Sequence, residues 1–82
     1  MTHAEVWNAI DCFATAHKMS CSGLAKHCGL DPTTFNKSKR FSQYGQPRWP
    51  STSSIAKILQ GTNCTLNDFL QFLPTYSKTQ SE

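Results

Sequence analysis

Gly29 and the Asp31-Pro32 pair after it divide the middle of the chain into two short helical stretches joined by a tight turn. Ser20 is a good N-cap for the first stretch, whose apolar positions are Cys21, Leu24, Ala25 and Cys28. Gly29 ends it, because glycine adopts the left-handed conformation that a helix C-terminus commonly needs. Asp31 is a favoured N-cap and Pro32 is tolerated at a first helical position, which predicts a further helix from Pro32 to Lys39 or Arg40. Ala25, four positions before Gly29, is small enough to let two helices cross closely, and the sharp turn then holds the second helix out from the body of the domain.

The flanking segments read as helices too. Val6, Ile10, Phe13 and His17, with Trp7 and Ala14 beside them, recur at three- and four-residue intervals and predict a first helix from about Ala4 to Lys18. Cys12 and Asn8 fall on its opposite side, and His17 reads as helix-end packing or capping. Residues 41–50, with Gly45, Pro47 and Pro50, read as a structured loop long enough to suggest a functional role. Ser51 or Thr52 caps a fourth helix carrying Ile55, Ala56, Ile58 and Leu59, with Gly61 as its terminator. Thr65 and Asp68 form a capping-box pair for a fifth helix with Leu66, Phe69, Leu70, Phe72 and Leu73, stopped by Pro74. The expected architecture is all-α: a compact five-helix domain over 1–73 and a polar tail or linker start over 74–82.

With 82 residues and 38% hydrophobic content there is room for one domain. Such a chain has difficulty building a deep pre-formed pocket, which weighs against catalysis. His3, His17 and His27 are scattered, and nothing places a base beside a nucleophile, so no catalytic residue is expected. Cys21 and Cys28 on one helix would stand roughly 10 Å apart, too far to share a zinc ion. There is neither a CxxC nor an HxxxH pair, so Cys12, Cys21, Cys28 and Cys64 read as free thiols, and no metal or cofactor is expected. Neither a membrane-spanning run nor a signal peptide is evident, which makes the cytoplasm the expected compartment and gives no membrane partner.

The net charge of +3 is modest, but its placement is informative. No Asp or Glu occurs between Pro32 and Asn67, whereas Lys37, Lys39, Arg40, Arg48 and Lys57 all fall there. Such a surface suits a polyanion. On the third helix Phe35 is the sole strong apolar anchor, with Thr33, Lys37 and Arg40 stacked on the face pointing away from it. Thr33, Thr34, Asn36 and Lys37 are therefore candidates for DNA base edges, since asparagine pairs with adenine and threonine offers a hydroxyl and a methyl. Lys39, Arg40 and Arg48 suit phosphates, as do Ser20 and Ser22 beside the free N–H groups that open the second helix.

The stretches LAKHCGLDPTTFNKSKR (24–40) and RWPSTSSIAKIL (48–59) resemble the N-terminal helix-turn-helix domain of phage-repressor-like and LexA-like bacterial transcriptional regulators, in the Cro and phage-repressor superfamily. The likeness runs from Trp7 to about Leu73. It implies a sequence-specific regulator, a repressor foremost, that binds a double-stranded DNA operator as a homodimer and reads the major groove with its third helix. It also implies that Ser22, Thr33, Thr34, Asn36 and Lys37 face DNA. Ser38 departs from the family's motif, which usually has an aliphatic core residue there, so Trp49 or other loop side chains are expected to pack the rear of the third helix. Members of this branch often carry a C-terminal serine-peptidase-like domain. The stretch after Pro74 then reads either as the start of a linker to such a domain or as the end of a short complete regulator. The competing reading is a protein-interaction module, an antitoxin or adaptor, that docks a partner through the apolar fifth helix.

Overall fold

A computed structural model describes residues 2–73; the tail expected over 74–82 lies outside them. The described chain is helical, with α1 (His3–Ala16), α2 (Cys21–His27), a 3-10 turn (Lys37–Lys39), α3 (Thr52–Gly61) and α4 (Leu66–Leu70). Four α-helices thus stand where five were expected. The one β-type pairing among the described residues is a single bridge between Phe41 and Pro47.

Capping chemistry fixes the helix starts. Thr2 and Glu5 form a capping box at α1, and Thr65 and Asp68 form another at α4. The hydroxyls of Ser20 and Ser51 accept the Gly23 and Ser54 amides at the starts of α2 and α3.

The ends share one device. Lys18, Gly29 and Asn63 take positive φ after α1, α2 and α3. In each case the amide of the next residue reaches back to a carbonyl in the last turn: Met19 to Ala14 (2.9 Å), Leu30 to Ala25 (2.8 Å) and Cys64 to Leu59 (2.9 Å). These are Schellman closures, which satisfy carbonyls that would otherwise lack donors. Helix α1 accordingly ends at Ala16 rather than Lys18.

Gly61 does not terminate α3. It lies inside the helix, and Asn63 makes the left-handed exit. The glycine is needed for close approach instead: a Cβ there would stand 2.5 Å from the Cys28 sulfur, so α3 presses against the end of α2 at that point.

The core gathers Trp7, Ile10, Phe13 and Ala14 of α1, Leu24 and Ala25 of α2, Ile58 of α3, and Phe35, Phe69 and Leu73. Phe13 sits at its centre, with Phe69 and Phe72 edge-on at 5.6 and 5.9 Å. Burying side chains of this size stabilises the fold by about 1.5–3 kcal/mol each. Phe69 and Leu73 are therefore spent on the core, and Leu70 and Phe72 are partly buried against it, while Leu66 stays 54% exposed.

Between α2 and α3 the structure departs most from expectation. The segment from Pro32 is not an α-helix but a pair of overlapping turns (Thr34 N–H to Asp31 O, Asn36 N–H to Thr33 O, both 3.0 Å) followed by the short 3-10 turn. Three causes can be named. Asp31 does cap, but its carboxylate and carbonyl also hold the Thr33 and Thr34 hydroxyls at 2.6 and 2.7 Å, and such local bonds compete with helix. Asn36 is extended (φ −65, ψ 153), which breaks the helical run. Most of a helix's stability in a protein comes from a packed apolar face, and Phe35 is the one buried residue here.

Candidate nucleic-acid interface

Arg40 was expected to point outward toward phosphate, and it points inward. Its guanidinium donates to both Asp11 carboxylate oxygens of α1 (3.1 and 2.7 Å) and to the Phe35 carbonyl (3.0 Å), and it lies 4.8 Å from the centre of the Trp7 ring. Its side chain is 12% exposed. A planar, permanently charged group suits this combination of a bidentate carboxylate and an aromatic face. Arg40 is thus a strut between α1 and the turn segment rather than an outward-facing cation.

The strut tunes its neighbours. Burial pulls the Asp11 carboxyl upward, but hydrogen bonds from Arg40 and Cys21 and the positive charges of Arg40 and Lys37 outweigh it and hold the pKa below the usual carboxylate value. Burial, and then the bond to Asp11 and its negative charge, push the Cys21 thiol up to about 11.

The loss of the helix also redistributes the remaining residues. Thr33, Thr34, Lys39 and Arg48 line one concavity of about 380 Å³ together with Asp31, Trp49 and the start of α3 at Ser51 and Ser54. Lys37 and Arg40 line another, against Glu5, Asn8 and Asp11 of α1. The expected single stripe of Thr33, Lys37 and Arg40 is therefore split between two sides of the 3-10 turn. Asn36 is exposed at the head of that turn.

Ser20 and Ser22 stay apart from both concavities. Ser20 is occupied as the α2 cap, and the Ser22 hydroxyl lies 3.3 Å from it. Asp31 faces the first concavity, its pKa lowered chiefly by the Thr33 hydroxyl and amide. Among the described residues Lys37, Lys39 and Arg48 make no ion pair within 4 Å, the distance at which Arg40 engages Asp11.

Sequence reasoning missed His3. Its Nε2 lies 2.8 Å from the Arg40 carbonyl, 3.0 Å from the Arg48 carbonyl and 3.1 Å from the Trp7 indole nitrogen. The Trp7 indole N–H donates to the Arg48 carbonyl at 2.9 Å. His3 and Trp7 together pin both stems of the 41–47 hairpin to α1, and the His3 ring also meets Phe41 (4.8 Å) and Trp49 (5.7 Å). Trp49 remains 53% exposed, and the Trp7 ring packs edge-on against Phe35 at 6.5 Å, in the place expected for Trp49. No local sequence signal links His3 to residues 37 and 45 positions away.

The chain matches no protein-family model, and neither curated proteins nor solved structures gave a match. No helix of the described residues is long and apolar enough to cross a membrane.

Proposed function

We propose that this chain is a sequence-specific DNA-binding regulator of the phage-repressor-like kind, a repressor foremost, which docks on duplex DNA through Thr33, Thr34, Lys39 and Arg48, with Asn36 and Lys37 at the head of the adjoining 3-10 turn. The carrying observation is the concavity where Thr33 and Thr34, both bonded to Asp31, meet the exposed cations Lys39 and Arg48, neither of which forms a salt bridge within 4 Å among the described residues, beside the exposed 3-10 turn. Lysine and arginine on one rim supply phosphate contacts, and threonine and asparagine supply base-edge chemistry. Because the segment is a turn rather than a long helix, it would enter the major groove as a short protrusion. Its contact with bases is correspondingly small, and the cations carry a large share of the affinity. Binding as a homodimer to two half-sites about one helical turn apart fits so small a reading head.

Selection of bound duplexes from a random library tests this reading. The expected product is an enriched motif with two-fold symmetry; a pool that stays random after repeated rounds contradicts it.

A further inference from the structure

The hairpin between the 3-10 turn and α3 displays an aromatic side chain that the fold does not use. Tyr44 is 83% exposed at its tip. The backbone beneath it is nevertheless held: the Ser42 hydroxyl accepts the Tyr44 and Gln46 amides at 3.2 Å each, and the Ser42 and Gly45 amides donate to Gln46 and Ser42 carbonyls at 2.8 and 2.9 Å. Gly45 takes φ +79, which glycine adopts at little cost. At the stem the Arg48 amide donates to the Arg40 carbonyl at 2.9 Å, directly beside the His3 and Trp7 pins. A braced loop presents a large amphipathic side chain with few torsions, so little conformational freedom is lost when it is covered.

The surroundings indicate what covers it. A third concavity of about 610 Å³ extends from Ser38 and Lys39 past Arg48 to Gln43 and Tyr44. Lys39 and Arg48 also line the concavity that holds Thr33 and Thr34, so the two hollows adjoin across one cationic ridge. No acidic residue lines the hairpin side. A polyanion seated against the threonines therefore continues over the ridge to the hairpin, and the charge favours a nucleic acid over a neutral or apolar protein face.

We propose that the 41–47 hairpin is a second contact on the same DNA duplex, with Lys39 and Arg48 on phosphates of one strand and Tyr44 and Gln43 against sugar and base edges flanking the segment that Thr33 and Thr34 face. This proposal rests on the DNA-binding reading.

The test uses the full chain and a duplex recovered by random-library selection, with affinity read by fluorescence anisotropy and coverage by hydroxyl-radical footprinting. Tyr44→Ala is expected to weaken binding about tenfold and to remove protection at one edge of the footprint while the inner protection persists. Tyr44→Phe keeps most of the affinity, and the circular dichroism of both variants matches the parent because the side chain lies outside the core. Unchanged affinity and an unchanged footprint for Tyr44→Ala overturn the hairpin contact and leave the DNA reading standing. A parent chain that binds no duplex overturns both. Tyr44→Ala that loses self-association in sedimentation but keeps its DNA affinity assigns the tip to a second copy of the chain and likewise overturns the proposal.

Discussion

Lys18 closes α1 at φ 60, a conformation in which its Cβ crowds the following carbonyl. Lys18→Gly is expected to raise stability by about 0.5–1 kcal/mol, seen as a higher chemical-denaturation midpoint with an unchanged slope. The Asp11–Arg40 pair behaves differently because it depends on pH. The folded-state pKa of Asp11 is lowered, so its contribution is fully present above the unfolded carboxylate value, near 4, and is lost as pH falls through the folded value. Asp11→Asn should lower stability at neutral pH by about 1–2 kcal/mol, discounted because the Asp11 side chain is 39% exposed, and should flatten the acid limb of the stability curve. A variant with the parent's acid limb would show that the pair contributes nothing measurable.

At the scale of elements, three helix starts were legible in the residues, Ser20, Ser51 or its neighbour Thr52, and the Thr65–Asp68 pair, whereas the Thr2–Glu5 box that opens α1 was not singled out. The ends were less so. Lys18 and Asn63 make left-handed exits that only glycine advertises, and Gly61 serves helix contact rather than termination. The candidate recognition helix was misread for a related reason. Asp31 and Pro32 have the residue types of a helix start, but no helix begins there, because those types do not supply the apolar face that keeps a helix formed. Arg40 shows the limit of charge counting, since its partner Asp11 lies 29 residues upstream and outside the acid-free zone. The hairpin's attachment through His3 was equally invisible. His3→Ala should therefore speed hydrogen exchange at the Ser42, Gly45 and Arg48 amides while leaving the α2 amides protected as before. Equal protection at those hairpin amides in variant and parent would mean that His3 does not pin it.

For the whole molecule, a small aromatic-centred helical globule holds one cationic ridge, formed by Lys39 and Arg48, between the Thr33–Thr34 turns and the hairpin. Its cations lie outside the ion pair that Arg40 forms with Asp11. The ridge is legible in the sequence as an acid-free basic stretch, but which of its members stay outward is decided by packing against α1. The most direct measurement is the dependence of duplex affinity on salt concentration. The parent should lose affinity steeply as salt rises, and Lys39→Ala and Arg48→Ala should each reduce the slope of log affinity against log salt by about 0.9, with Lys18→Gly as an unchanged control. A parent whose affinity is flat in salt, or ridge variants whose slopes equal the parent's, would contradict it.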